Sequence, residues 1–425
     1  MLRDTPALIA AAVAALSIAA FPLQGAAQTT PRFELPEQPM LIDEPIPIVV
    51  SGLRPGAKVT VRLESANKTG RRYASSASFV ADEQGRVDLA RTAPVSGSYE
   101  GADAMGLFWS AKPDSTSGRS SESAPARELR DTNWQLSAEV DGAVAASAAL
   151  KRRTVAENVR IAPLRDKGLV GTFYDPADGA RHPAVLVLGG SGGGLTPAWS
   201  QPGGLASRGY AVLSLAYFAM EDLPRSLSLI PLEYFKTALD WMAANPAVDP
   251  SRIGVLGTSR GGELALLLGA TYPEIKTVVA YVPAHEAHGS CCLGVSAPGW
   301  TLNRVGIAVG TTIRVEKING AVLVISGRED RVWPSTDASE KIVARLREQG
   351  FTHPYAHLAY DTGHAISRPG VPTTEINSRT HPQLRTALPA GGTPASTARA
   401  SADSWEKVLR FLDANLRERR ETGAR

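Results

Sequence analysis

The sequence has few residues of the kinds that mark unusual classes of protein. Cysteine occurs twice in 425 residues, at Cys291 and Cys292, and because adjacent cysteines do not readily close an ordinary disulfide, no disulfide framework is expected. No charge of one sign prevails, since 45 Lys and Arg residues stand against 42 Asp and Glu residues, which argues against nucleic acid as a partner. The content of 43% hydrophobic and 20% charged residues excludes wholesale disorder and a multi-span membrane protein.

The amino terminus also lacks an apolar run long enough to span a bilayer. Residues 7–20 carry no charge, but these 14 residues are fewer than the roughly 20 that a spanning helix needs. Arg3 precedes this run and small residues follow it at positions 25–27, so we predict a cleavable secretory signal over residues 1–27 and no stable membrane anchor. The protein would then be exported to the periplasm or secreted, whereas translation from Met40 would give a cytoplasmic product.

The rest of the chain divides into two domains with different patterns. In residues 39–150, short alternating apolar runs are separated by Gly and Pro about every ten residues, which predicts an all-β, immunoglobulin-like sandwich. Residues 111–131 are rich in Ser, Pro and charges and are expected to form a surface loop. Residues 151–167 form a charged connector to the second domain.

Residues 160–417 show apolar strands alternating with helices. Runs without polar interruption predict strands buried on both faces of a mostly parallel, doubly wound α/β sheet; they lie at 184–188, 211–215, 253–256, 277–280 and 321–325. Two segments break the pattern, and we define them as the first insertion (residues 285–317) and the second insertion (residues 368–399), both expected at the carboxyl edge of the sheet. Residues 404–416 are predicted to form a closing helix.

A strand, a Gly-x-Ser-x-Gly turn and a helix follow one another around Ser259. Gly257 and Gly261 give the turn room where side chains would collide with backbone, so the serine hydroxyl is exposed at the tip of a nucleophile elbow. A serine needs a base and an orienting acid to act as a nucleophile. Asp330 follows the predicted strand at 321–325 and His364 follows a later strand at 355–360, in the order that α/β hydrolases use.

Other assignments for this site stay open at this point. Glu329 and Asp361 are alternative acids, because each lies within a few residues of Asp330 or His364. His353 and His357 flank the last strand and are less well placed as the base.

A glycine-rich stretch at residues 189–194 follows the first parallel strand. It lacks the acidic residue of a dinucleotide fingerprint and the Lys of a phosphate loop, so no cofactor is expected. We interpret it as an oxyanion loop in which an amide of Gly190 or Ser191 joins the amide of Arg260. Histidines and cysteines at 285–292 suggest zinc, but their spacing is poor for one ion, and no metal is predicted.

Several segments resemble a known family, the acyl-CoA thioesterases and bile acid-CoA:amino acid N-acyltransferases. The amino-terminal resemblance is carried by Gly-Ser-Tyr-Glu-Gly-Ala-Asp-Ala-Met-Gly-Leu-Phe-Trp-Ser at residues 97–110, with residues 50–53 and 87–89 before it. The carboxyl-terminal resemblance is carried by the elbow, residues 327–333 and 360–364, the Gly pair at 391–392 and Trp405. Together these segments cover roughly residues 42–416.

The resemblance implies an α/β-hydrolase domain in which Ser259 is the nucleophile, Asp330 the acid and His364 the base. It implies a serine hydrolase that cleaves a small-molecule thioester, fatty acyl-CoA, to free fatty acid and CoA through an acyl-enzyme. Relatives with cysteine at the nucleophile position tend to transfer the acyl group to an amino acid, and those with serine resemble hydrolases. Acyl transfer to an amine, a secreted ester or amide hydrolase without CoA, and a non-catalytic binding protein are the alternatives.

Overall fold

The computed structural model describes residue 1 and residues 30–65, 72–113, 132–195, 201–291, 297–367, 369–378 and 380–417. The predicted secretory signal therefore lies, apart from Met1, outside the described residues, and so does most of the loop predicted at 111–131. Within the described ranges, no helix combines the length and the hydropathy needed to cross a membrane.

The amino-terminal part consists of strands and one short helix. Its described elements are β1 Arg32–Glu34, β2 Met40–Leu41, β3 Val49–Ser51, β4 Lys58–Ser65, β5 Tyr73–Val80, β6 Val87–Asp88, β7 Ser96–Gly97, α1 Gly106–Trp109, β8 Lys112–Pro113, β9 Thr132–Val140 and β10 Ala143–Arg153. One sheet has the order β1-β3-β6, and the other has the order β2-β10-β9-β4-β5-β7 with β8 paired to β5.

The period-2 pattern of the sequence explains how these two sheets share a core. In β4, Val59, Val61 and Leu63 are fully buried and alternate with more exposed residues, as expected for a strand with one face inward. They join one apolar cluster with Val50 of β3 and Val87 of β6, so the core lies between the sheets. The strands begin at Arg32 rather than at residue 39 and end at Arg153. The immunoglobulin-like class stays a prediction.

The carboxyl-terminal part alternates strands and helices. Its described elements are β11 Arg160–Asp166, β12 Leu169–Asp175, β13 His182–Leu188, α2 Gln201–Ala206, β14 Ala211–Ala216, β15 Ile230–Pro231, α3 Leu232–Ala244, β16 Val248–Thr258, α4 Arg260–Thr271, β17 Ile275–Tyr281, β18 Trp300–Leu302, β19 Val305–Gly306, a 3-10 helix Val315–Lys317, β20 Ala321–Gly327, α5 Ser335–Glu348, β21 Tyr355–Tyr360 and α6 Pro394–Leu416.

Eight of these strands form one large sheet in the order β11-β12-β14-β13-β16-β17-β20-β21. β11, β12 and β14 pair antiparallel, and all pairings from β14 to β21 are parallel. The mostly parallel α/β sheet is thus as predicted, and β13 and β20 are buried along their whole length. β11 lies inside residues 151–167, the predicted connector. It is an edge strand with a charged and mostly exposed sequence, so it lacks the continuous apolar run of a buried strand.

In two helices, the apolar period of the sequence predicts which face is buried but not where the helix begins. α3 buries Leu232, Phe235, Leu239 and Met242 on one face, as the 3.6-residue period indicates. α6 begins at Pro394, ten residues before the predicted helix, so the last residues of the second insertion are helical. Its start is set by a capping box, in which the Thr393 side chain accepts a hydrogen bond from the Ser396 amide, and not by an apolar stripe.

The two insertions build structure of their own at the edge of the fold. The first insertion contributes β18, which pairs with β15, and β19, which pairs with β18, and the three strands form a small sheet. Cys291 in this insertion is disulfide-bonded, which corrects the expectation that the cysteines stay unbridged; Cys292, the only other cysteine of the sequence, lies outside the described residues.

The two parts are joined through residues 41–44. The buried Arg152 of β10 donates hydrogen bonds to the carbonyl oxygens of residues 41, 42 and 44, over 2.8, 2.7 and 2.6 Å. Between them, the buried Asp43 carboxylate accepts hydrogen bonds from Trp405 of α6 over 2.6 Å and from Arg208 over 2.8 Å. A single short segment of the amino-terminal part is therefore fixed to both parts.

Candidate active site

Ser259 lies in the sharp turn between β16 and α4. Its backbone has φ 60° and ψ −121°, a conformation that costs energy for a residue with a side chain. A methyl group at Gly257 would lie 1.9 Å from the carbonyl oxygen of Gly261, and one at Gly261 would lie 2.5 Å from that of Leu188. Both positions therefore require glycine, and the turn has the strand-to-helix geometry that the motif predicts.

Asp330, His364 and Ser259 lie in one chain of hydrogen bonds. His364 Nδ1 is 2.7 Å from Asp330 Oδ2, and His364 Nε2 is 2.9 Å from Ser259 Oγ. Asp330 Oδ1 also accepts hydrogen bonds from the amides of Val332 and Trp333, which fix the carboxylate. Since an ionised carboxylate can only accept, the proton of a neutral His364 ring lies on Nδ1, and the unprotonated Nε2 faces the Ser259 hydroxyl.

The alternative acids are oriented away from this site. The Asp361 carboxylate accepts a hydrogen bond from the Arg328 guanidinium over 2.8 Å, and its side chain is 82% exposed. Glu329 is exposed on the same turn as Asp330. His357 lies in β21 and bonds to Ser326.

Gly190 of the glycine-rich loop lies directly against the serine. A methyl group at this residue would lie 3.1 Å from Cβ and 3.6 Å from Oγ of Ser259, so the bare backbone of Gly190 faces the Ser259 side chain. The amide of Arg260 opens α4, where a first-turn N–H has no acceptor within the helix. Ser191, the next residue of the loop, bonds through its hydroxyl to Nε2 of His381 over 2.9 Å. The structure thus brings the loop, the serine and the start of α4 together.

The side chain of Arg260 points into the protein and forms a buried ion pair with Glu263. Arg260 Nε and Glu263 Oε2 are 3.3 Å apart, with side chains 6% and 0% exposed. Glu263 Oε1 accepts hydrogen bonds from Trp300 Nε1 over 2.6 Å and from the His288 amide over 2.9 Å. Burial lowers the pKa of the Arg260 guanidinium, and the Glu263 carboxylate opposes that shift. This cluster connects the first insertion to α4, the helix that follows Ser259.

His288 extends the cluster toward His364. A hydrogen bond with Glu263 raises the pKa of His288 above its usual range, against the effect of burial. The ring of His288 stacks on Trp333 at 5.3 Å, and Trp333 meets His364 at 5.4 Å with the ring planes at 85°. Among the described residues, no three His, Cys, Asp or Glu side chains are arranged to hold a metal ion.

Four of these residues are missed by reasoning from the sequence: Glu263, His288, Trp333 and His381. Glu263 had a signal, because Arg260 and Glu263 are the only charges in α4 and stand three positions apart, a spacing typical of a pair. No such signal exists for His381, since it lies 190 positions from Ser191, the residue that it contacts.

Comparisons with known proteins identify the family of the chain. The family model described as acyl-CoA thioester hydrolase/BAAT N-terminal region matches residues 43–166, and the one described as BAAT/acyl-CoA thioester hydrolase C terminal matches residues 230–290 and 300–418. Acyl-coenzyme A thioesterase 6 of Mus musculus is 31% identical over 404 residues, which cover 88% of this chain and 94% of the relative. The chain belongs to the acyl-CoA thioester hydrolase/BAAT family.

This member of the acyl-CoA thioester hydrolase/BAAT family has further relatives. The mitochondrial acyl-coenzyme A thioesterase 2 of Homo sapiens is 28% identical over 407 residues, covering 88% of this chain and 82% of the relative. A solved structure of a putative dienelactone hydrolase from Klebsiella pneumoniae covers 60% of this chain and 97% of its own, with 18% identity and a TM-score of 0.41. The resemblance found in the sequence is confirmed, and the chain is an enzyme.

Proposed function

We propose that this enzyme is a serine thioesterase that hydrolyses fatty acyl-CoA to a free fatty acid and CoA. The observation that carries the proposal is the continuous hydrogen-bonded chain from Ser259 Oγ through His364 to Asp330 at the elbow. The names of the relatives, acyl-coenzyme A thioesterases, support the thioester as substrate class. A serine at the nucleophile position favours hydrolysis over transfer to an amine, because an oxygen ester is less reactive toward amines than a thioester.

The reaction would proceed in two halves. Ser259 Oγ attacks the thioester carbonyl carbon while its proton passes to His364 Nε2. The tetrahedral intermediate expels the thiol, which takes that proton, and leaves an acyl ester on the serine. Water then attacks the ester, His364 again accepts a proton, and the free acid leaves as the serine oxygen regains it. Asp330 keeps the imidazole in the required tautomer throughout.

The negative oxygen of both intermediates needs hydrogen-bond donors. The amide of Arg260 and an amide of Gly190 or Ser191 are the donors that we assign to it, each worth about 3 kcal/mol in enzymes of this kind. Support for this assignment comes from the close approach of the Gly190 backbone to Ser259.

We further propose that the two amino-terminal sheets form an immunoglobulin-like sandwich, supported by their shared core and mostly antiparallel pairing.

Export of the chain through a signal at residues 1–27 stays a proposal as well. An exported enzyme would meet little acyl-CoA, so simple thioesters and esters belong in any substrate test. Intact mass of protein from its native host decides the point, and a product that starts at Met1 or Met40 would contradict export.

The test is a substrate panel with purified wild-type protein, Ser259→Ala and the control Ser251→Ala, whose exposed hydroxyl bonds only to Asp249 among the described residues. We expect thiol release from acyl-CoAs, loss of turnover and of fluorophosphonate labelling in Ser259→Ala, and no change in the control. The rate should fall on the acid side, because a protonated imidazole cannot accept the serine proton. Near wild-type turnover by Ser259→Ala would contradict the mechanism, and amide formation with added glycine or taurine would show acyl transfer.

A further inference from the structure

We propose that His381 is a positioning residue that holds the glycine-rich oxyanion loop in place through the hydroxyl of Ser191. The proposal rests on the function proposed above, since it concerns the loop that would stabilise the intermediate. It also gives the second insertion, which contains His381, a role in the site.

The hydrogen bonds of His381 fix where its proton lies. Nδ1 accepts from the amide of Gln383 over 3.2 Å and from the amide of Leu384 over 3.1 Å, so this nitrogen carries no proton. In a neutral imidazole the proton then lies on Nε2, which donates to Ser191 Oγ over 2.9 Å. His381 is almost fully buried, and burial lowers its pKa, which favours the neutral ring.

This tautomer excludes a second nucleophile–base pair. A base would have to accept the proton of Ser191, but the nitrogen that faces Ser191 already carries a proton. No carboxylate orients the ring either, because its other nitrogen accepts from two backbone amides. His381 therefore acts as a donor that holds Ser191.

The loop needs such an anchor because of its composition. Five of the six residues at 189–194 are glycine, and a glycine-rich backbone loses the most conformational freedom when it is ordered. At one end, the hydroxyl of Tyr217 donates to the carbonyl oxygen of Gly189 over 2.6 Å. In the middle, His381 holds Ser191, and the Gln383 side chain donates to the carbonyl oxygen of Gly192 over 3.4 Å.

The turn that carries His381 is itself well held. The His381 amide donates to the carbonyl oxygen of Thr386, and the Arg385 amide donates to that of His381, each over 2.8 Å. Thr380 and Ala387 close the turn as an antiparallel bridge. These hydrogen bonds fix the position of His381, and through His381 the turn restricts the conformations of the glycine-rich loop.

Two amide variants separate the roles of the two ring nitrogens. His381→Asn keeps an acceptor near the position of Nδ1 and so preserves the turn, but it has no donor that reaches Ser191. His381→Gln places an amide donor near the position of Nε2. Ser191→Ala removes the other partner, and the double variant His381→Asn with Ser191→Ala completes the cycle.

We expect His381→Asn and Ser191→Ala each to lower kcat about 10- to 100-fold with KM unchanged, because a displaced oxyanion donor acts on the transition state. The double variant should be no slower than the slower single variant, since both break one hydrogen bond. His381→Gln should recover part of the rate. Thermal unfolding of His381→Asn and Ser191→Ala should match that of the wild type.

Each other outcome overturns one proposal or both. If Ser259-dependent turnover is intact and both single variants act at the wild-type rate, or if their losses multiply, the role of His381 is refuted and the proposed function stands. If the wild-type protein shows no thioester turnover, the proposed function fails. The role of His381 is then tested by comparing the rate of fluorophosphonate labelling of Ser259 in the wild type and in the same His381 and Ser191 variants. Absence of labelling at Ser259 would refute both.

Discussion

Trp333 stands edge-on to His364, with ring centroids 5.4 Å apart and ring planes at 85°. Its amide donates to Asp330 Oδ1, its indole nitrogen donates to the carbonyl oxygen of Val282 over 3.0 Å, and its ring stacks on His288. One side chain thus contacts the proposed acid, the proposed base and the first insertion. Its position limits the directions in which the imidazole can turn.

Trp333→Ala should lower kcat about 10- to 100-fold, because the His364 ring loses a neighbour that restricts its orientation. Trp333→Phe keeps an aromatic ring and loses only the indole hydrogen bond, so its loss should be smaller. Steady-state kinetics with an acyl-CoA substrate measures both. Trp241→Ala, which removes a tryptophan packed on Phe173, is the control and should affect stability but not kcat. Equal rates in Trp333→Ala and the wild type would contradict this role.

Gly190→Ala should lower kcat/KM by about 100-fold or more while the protein stays folded. The added methyl group would lie 3.0 Å from the carbonyl oxygen of Thr258 and 3.1 Å from Cβ of Ser259, so it would crowd the side chain that we propose as the nucleophile. Gly168→Ala is the matched control, since Gly168 has φ 76° in open space and its replacement should cost about 1 kcal/mol of stability without loss of rate. Kinetics and thermal unfolding of both variants distinguish the two effects.

Glu263→Gln should lower the free energy of unfolding by about 3–5 kcal/mol, because Arg260 would keep a buried charge without its partner. Adding Arg260→Met removes that charge and should restore part of the loss. The backbone amide of residue 260 survives in both variants. Denaturant unfolding gives the three free energies, and a double variant less stable than Glu263→Gln alone would show that the ion pair is not the cause.

The stability of the protein should depend on Glu316 at acid pH. Hydrogen bonds from Arg345 over 2.6 and 2.9 Å lower the pKa of Glu316 from 4.5 to about 2 in the folded protein. A lowered folded pKa means that this stabilisation is fully present above about pH 4.5 and is lost as the pH falls toward 2. Its size is at most about 3 kcal/mol. Unfolding free energies from pH 7 to 3 should show a smaller acid loss in Glu316→Gln than in the wild type; parallel curves would contradict the prediction.

The large sheet could be predicted because its strands are buried on both faces and leave continuous apolar runs in the sequence. The run at 321–325 became β20, and the Asp330 turn follows at its carboxyl end. Strands that lie at an edge leave no such run, which is why β1 and β11 were missed. The start of α6 depends on a capping box, which a search for apolar stripes does not detect.

The proximity of Ser259, Asp330 and His364 could be predicted from the sequence because each follows a strand, and the carboxyl ends of parallel strands meet at one edge. Trp333, His288 and His381 reach the same edge by contacts between segments that are far apart in the sequence. Glu263 could be predicted in part. Two opposite charges that stand alone in an apolar helix indicate a buried ion pair, but they do not indicate which residues of other segments contact it.

The hydrogen bonds of Asp43 have a further consequence for whether the two domains can be separated. Its carboxylate belongs to the amino-terminal part but completes the hydrogen bonds of Trp405 and Arg208 in the hydrolase part, while Arg152 fixes the chain on either side of it. A gene fragment that encodes only residues 160–417 would yield a domain whose last helix exposes an indole to solvent and leaves an arginine without its counterion. An amino-terminal domain without an acid at the position of Asp43 would leave the same two side chains unpaired if it replaced the one in this chain.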